Sequence, residues 1–261
     1  MPAQRRALGS PQTLEALSAL ALDAGQALAK SADTASPEIQ AMPSSSDHRF
    51  QRRLLLAGMA SALALGAGCS KKAKPQGKTL PKEAVLLCLG DSLTFGYGAT
   101  AGGGYPQQLE QLTGYVTKNA GVNGDTAEGA LARLPALLQE NTPGLVLISI
   151  GGNDFLRGLP LDRTRAALKS LVQTAAASAQ VVLIAQPKPV FIAAATNSLN
   201  DHEVYAEVAK ETGTPLFSGG WSYVLSRSEL RSDQIHANAE GYKVFAERLA
   251  AWLREMRYLA A

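Results

Sequence analysis

Residues 85–94 read Val-Leu-Leu-Cys-Leu-Gly-Asp-Ser-Leu-Thr, and this stretch limits what the chain can fold into more than any other. An apolar run of strand length stops at Gly90, and two small polar residues, Asp91 and Ser92, follow. A run without polar alternation is a strand buried on both faces. In open α/β sheets, ligands collect outside the carboxyl ends of such strands. A serine raised there is a nucleophile only if the chain also supplies a base, an acid to orient it and donors for an oxyanion.

From Ala84 onward, short apolar runs alternate with longer amphipathic ones. Strands are predicted at 84–89, 115–119, 145–150, 181–185 and 215–217. Helices are predicted at 105–112, 127–140, 163–178, 202–212 and about 239–258. Asn238 is the expected N-cap of the last helix. Phe245, Leu249, Trp252, Leu253 and Met256 then share one face at spacings of three and four. Strands alternating with helices imply βαβ units, a parallel sheet and helices on both faces. The stretch 186–200 has no clear period and reads as a loop beside the site.

Three of the predicted strands end in small polar residues: Gly90-Asp91-Ser92, then 119–126 (Asn-Ala-Gly-Val-Asn-Gly-Asp-Thr), then Gly151-Gly152-Asn153-Asp154. In a parallel sheet all three fall at the same end and can converge. Asp233-Gln234-Ile235-His236 stands near the carboxyl terminus. Of the three histidines, His48 lies in the amino-terminal signal segment and His202, between Asp201 and Glu203, reads as a solvated surface residue. His236 is left as the base. Asp233, three residues before it, can reach one ring nitrogen, fix the tautomer and stabilise the imidazolium. Alone, an Asp-x-x-His reads as a turn cap; beside the serine strand end it reads as an acid–base pair. The Ser92 and Gly124 backbone N–H groups and the Asn153 amide are the candidate oxyanion donors. Asp91 reads as a structural turn residue, because adjacent side chains diverge. Asp154 and Arg157 read as scaffold, and Cys88 as a small core residue. Gly96-Tyr97-Gly98-Ala99-Thr100-Ala101 fits a dinucleotide-loop pattern, but it starts too far from the strand end to serve as one.

In order, GDSLT, NAGVNGDT, GGND and DQIH resemble the four diagnostic blocks of the SGNH (GDSL-type) hydrolase family, over roughly 84–255. The wording around the second and third blocks resembles its bacterial arylesterase and thioesterase I/lysophospholipase branch. The resemblance implies a three-layer α/β/α sandwich with a five-stranded parallel, flavodoxin-like sheet. It makes Ser92 the nucleophile, Asp233 and His236 the rest of a triad, and Ser92, Gly124 and Asn153 the oxyanion hole. No cofactor and no metal are expected. Two positions depart from the family pattern. Ala237 stands where proline often follows the histidine, and 186–200 differs from the loop that flanks the acyl groove.

The first 80 residues read differently. Arg49, Arg52 and Arg53 precede an uncharged run, 54–68, that ends at Cys69. A basic region, an apolar core of this length and small residues before a cut form a secretory signal, too short to span a membrane comfortably. The approach to Cys69 resembles a lipobox, with Leu65 one position early. The expected organisation is an untranslated or disordered extension at 1–41 with translation starting at Met42. A signal peptide at 42–68, a lipid-anchored linker at 69–82 and the hydrolase domain at 83–261 follow. A net charge of +3 gives no pull toward nucleic acid. The protein is therefore expected in a bacterial cell envelope, facing the periplasm and held to a membrane through Cys69, as a monomer. Without lipidation it is expected to be soluble in the periplasm or secreted. It is expected to hydrolyse small acyl or aryl esters, acyl-CoA or lysophospholipid. Carbohydrate or peptidoglycan O-acetyl ester hydrolysis is the alternative, and a non-catalytic binding module the remote one.

Overall fold

Every residue of two strands, Leu86–Gly90 (β1) and Leu145–Ser149 (β3), is enclosed, which is why their sequences show no alternation. They pair with each other in parallel, Leu86 opposite Leu145 and Gly90 opposite Ser149. The computed structural model describes residues 77–188 and 199–260; these belong to the unit Ser70–Ala261. Three further strands, Thr117–Gly121 (β2), Gln180–Ile184 (β4) and Leu216–Phe217 (β5), complete a sheet in the order β2-β1-β3-β4-β5. Every pairing is parallel. In this order the chain runs outward in opposite directions from β1 and β3, and the cleft between their carboxyl ends is where such sheets hold ligands.

Eight α-helices are described: α1 (Ser92–Phe95), α2 (Tyr105–Thr113), α3 (Ala127–Asn141), α4 (Gly152–Leu156), α5 (Leu161–Ala176), α6 (Glu203–Thr212), α7 (Gly220–Leu225) and α8 (Ala239–Glu255). Strand side chains alternate between two cores. Leu86, Cys88, Leu145, Leu147, Val182 and Ile184 join Tyr105, Leu109, Trp221, Phe245 and Leu249, so α2, α7 and α8 cover one face. Leu87, Leu89, Val146, Ile148 and Leu183 join Leu134, Leu168, Leu171, Val204 and Val208, so α3, α5 and α6 cover the other. The result is the three-layer α/β/α sandwich expected. Burial pushes the Cys88 thiol up to about 12, which keeps it an inert core residue.

Several boundaries differ from the sequence reading. β2 starts two residues later than 115, because Tyr115 is spent on the core and its hydroxyl donates to the Leu80 carbonyl. The edge strand itself is Thr-Lys-Asn-Ala-Gly, with Lys118 and Asn119 exposed and the other three residues half-buried. α8 stops at Glu255, before Tyr258, because Arg257 takes a positive φ of 63° and turns Tyr258 back, its N–H reaching the Leu253 carbonyl. Asn238 caps α8 as expected, accepting from the Gly241 N–H. The short helices α1, α4 and α7 were not predicted.

The expected linker, 69–82, is part of the folded unit from Gly77 onward. Gly77 donates to the Met256 carbonyl, and Lys78 exchanges two hydrogen bonds with the Gln180 side chain. Lys82 donates to the Thr113 carbonyl. These partners sit at the amino ends of the strands, opposite the Ser92 end. Cys69, the signal 42–68 and the extension 1–41 lie outside the described residues, as does 189–198 of the expected loop. No described helix is long and apolar enough to cross a membrane.

Candidate active site

Ser92 opens α1, a single turn that the sequence forces immediately after β1. Asp91 is its N-cap, its Oδ1 accepting from the Leu93 N–H at 3.0 Å. The turn folds tightly onto the strand end. A Cβ on Gly90 would overlap Thr94 Oγ1 and the Ser149 carbonyl oxygen, so only glycine permits the approach.

The 121–126 loop lies beside it. Gly124 holds a φ of +75°, a conformation that glycine adopts without strain. Asp125 pairs with Arg133 at 2.9 Å, and the same guanidinium donates to the Gly90 carbonyl at 2.9 Å, which ties this loop to the β1 end. From the β3 side, α4 brings Asn153. Its Nδ2 donates to the Asp125 carbonyl at 3.0 Å, and Arg157 donates to the Gly124 carbonyl at 2.7 Å. One Asn153 amide hydrogen is used this way and the second is free for a ligand. Among the described residues, the Ser92 and Gly124 backbone N–H groups have no acceptor.

His236 and Asp233 arrive on the turn before α8. Asp233 Oδ1 accepts from the Ile235 and His236 N–H groups, each at 2.8 Å, so the carboxylate does cap the turn. Its Oδ2 lies 2.8 Å from His236 Nδ1, and His236 Nε2 lies 2.9 Å from Ser92 Oγ. Partial burial acts to raise the Asp233 pKa, but the bonds from His236 and the two backbone amides outweigh it, and the net shift is downward. An ionised carboxylate only accepts, so Nδ1 carries the proton and Nε2 is left to accept from the serine hydroxyl. The structure thus brings together Ser92, Asp233 and His236 in one hydrogen-bonded chain. Tyr97 packs on the imidazole with ring centroids 4.5 Å apart. Around this mouth Phe95, Tyr97, Val122 and Ile235 are exposed apolar side chains.

Asp154 is buried, accepting from the Ala127 N–H and the Thr164 hydroxyl, and joins α3 to α4. The surface reading of His202 is corrected. Its side chain is 17% exposed, stacks on Phe155 at 4.1 Å and caps α6 through Nδ1. Burial lowers its pKa, which suits the neutral ring that this capping requires. In the sequence, Gln186 reads only as the start of the loop beside the site, with no role given to its side chain. It is buried and contacts both the nucleophile turn and the start of α4. Its one sequence signal was an amide at the end of an otherwise apolar strand.

The GDSL-like Lipase/Acylhydrolase family matches residues 88–244. The chain is 34% identical over 176 residues to the "Thioesterase 1/protease 1/lysophospholipase L1" of Escherichia coli (strain K12), covering 66% of this chain and 84% of that protein. It is 31% identical over 174 residues to the "Arylesterase" of Vibrio mimicus, covering 63% and 86%. Among solved structures, that of TesA superposes with a TM-score of 0.58 at 31% identity, over 66% of this chain and 99% of the other. The match spans the fold, the three strand-end motifs, the Asp233–His236 turn and the hydrogen-bonded serine, and the chain belongs to the GDSL-like lipase/acylhydrolase family and is a carboxylic ester hydrolase.

Proposed function

We propose that Ser92 is the nucleophile of an acyl-enzyme mechanism acting on small acyl or aryl esters and thioesters, with acyl-CoA and lysophospholipid in the same class. The observation that carries this is the continuous chain from Ser92 Oγ through His236 to Asp233, with steps of 2.9 and 2.8 Å. His236 Nε2 takes the hydroxyl proton as Oγ attacks the acyl carbonyl, and Asp233 stabilises the imidazolium. The Ser92 and Gly124 N–H groups and the free Asn153 amide hydrogen hold the tetrahedral oxyanion. The imidazolium then protonates the departing alcohol or thiol, and water, activated by His236, releases the acid. The apolar side chains around the mouth, Phe95, Tyr97, Val122 and Ile235, support an apolar acyl or aryl group.

The basic patch before Cys69 and the apolar run between them support export and a lipid anchor at Cys69. The test of the mechanism is a series of p-nitrophenyl esters and acyl-CoAs, with an acetylated glycan as the comparison substrate. Ser92→Ala should lose nearly all activity and still melt cooperatively. Activity within about tenfold of the unaltered protein refutes the assignment, since losing a triad member costs orders of magnitude.

A further inference from the structure

We propose that Gln186 is a positioning residue that sets the distance between the nucleophile and the oxyanion donors. The proposal rests on the acyl-transfer reading of Ser92. Gln186 follows β4, the second strand over from β1, and its side chain reaches across β3. Its Oε1 accepts from the Gly152 N–H at 2.6 Å. Its Nε2 donates to Asp91 Oδ2 at 3.0 Å and to Ser149 Oγ at 3.3 Å. Asp91 directly precedes Ser92 and caps the turn that carries it, whereas Gly152 directly precedes Asn153 and opens the helix that carries it. One planar amide therefore spans the two elements that must approach the same carbonyl group from different strands.

The chemistry of the junction selects this residue type. One end must accept an N–H and the other must donate to a carboxylate. A carboxylate at 186 could not donate when ionised, and a lysine or arginine could not accept. The junction is also braced from behind. Ser149 Oγ accepts from Trp221 Nε1 at 3.0 Å, and Trp221 stacks on Phe245 at 3.6 Å. Gln186 is 1% exposed, so no water replaces a lost bond readily. Misplacing a reacting group by about 1 Å costs on the order of 100-fold in rate. Losing this amide should therefore act on kcat and leave substrate binding almost untouched.

Two variants test it in the full chain, each assayed on a soluble p-nitrophenyl ester with active sites counted by a fluorophosphonate. Gln186→Met keeps length and burial without the polar contacts. Its kcat per titrated site should fall about 10- to 100-fold with KM within about threefold. Gln186→Glu keeps the acceptor for Gly152 but sets a second carboxylate against Asp91. The ionisable groups facing Asp91 are His236, Asp125, Tyr105, Tyr205 and Tyr242. At lower pH the introduced carboxylate and Asp91 would share a proton and regain a donor. The ratio of kcat near pH 5.5 to kcat near pH 8 should then rise at least about threefold above that of the unaltered protein. A Met variant with kcat per site within about twofold overturns the proposal. If the Met variant does not fold, the Glu variant decides, and an unchanged pH ratio overturns it. Failure of the underlying mechanism has a different signature, namely persistence of activity in Ser92→Ala.

Discussion

Replacing Asp91 with asparagine isolates the cost of holding a charge beside Ser92, the proposed nucleophile. The carboxyl is 2% exposed. Burial pushes its pKa up from 3.8 to about 6, against the opposing pull of the Gln186 and Leu93 donors and of the nearby His236. The folded protein therefore holds this proton more tightly than the unfolded chain does. Its contribution to stability is greatest at low pH, declines as pH rises from about 4 to about 6 and then levels off. At about 1.4 kcal/mol per pH unit, the gap corresponds to about 3 kcal/mol, of which about 2 kcal/mol falls between pH of about 4.5 and about 8. Asparagine keeps an acceptor for the Leu93 N–H and cannot ionise. Its poorer match to the Gln186 amide costs the same at every pH. Urea unfolding of both proteins at the two pH values should show the stability difference moving by about 2 kcal/mol in favour of the variant at the higher pH. Titrating groups that do not interact with Asp91 are common to both and cancel; His236 and Asp125, which do, are part of the measured difference. A difference that stays within about 0.5 kcal/mol between the two pH values would refute the argument that Asp91 is held ionised at a cost.

Three other outcomes follow from the geometry. Asn153→Ala removes the amide proposed as an oxyanion donor and should lower kcat by about 100- to 1,000-fold, with the Ser92 phosphonate adduct still forming. Asp233→Asn replaces an acceptor of the Nδ1 proton with an amide that can favour the wrong tautomer, and should lower kcat by about 1,000-fold or more while the fold persists. Gly90→Ala forces a methyl against Thr94 and the Ser149 carbonyl oxygen. It should cost about 1–3 kcal/mol, read as a drop of about 5 °C in melting temperature.

Much of the site was legible because each part sits within a few residues of a strand end. Gly90–Ser92, Gly124 and Asn153 follow β1, β2 and β3, and a parallel sheet places such ends together whatever lies between. Asp233 and His236 were readable for a similar reason, as a local pair three residues apart. Gln186 was not readable, since its partner Asp91 lies 95 positions away and nothing local announces the contact. The same holds for His202, whose stack on Phe155 comes from α4 meeting α6. Helices of four to six residues, such as α1, α4 and α7, are too short to show a 3.6-residue period. They are set by caps and by glycines at φ above zero. The polar strand β2 lacks the apolar signature because it is half-solvated at the end of the sheet, paired among the described residues with β1 alone. The segment 77–82 looked like a tether by composition. Its hold on the domain runs through backbone atoms, the buried Leu80 side chain and the Thr79 and Lys82 side chains, which bond the Arg257 and Thr113 carbonyls, and composition does not show such contacts.

That hold also determines how the domain carries load. A pull on the chain upstream of Gly77 enters at the amino ends of the strands, through the Gly77–Met256 bond and the paired bonds between Lys78 and Gln180. The force passes into the carboxyl-terminal turn and the first residue of β4. It does not cross the Ser92 turn or the Asp233–His236 turn, which lie at the far end of the sheet. Immobilising the protein through its amino-terminal side should therefore leave the catalytic mouth facing outward and mechanically unstrained.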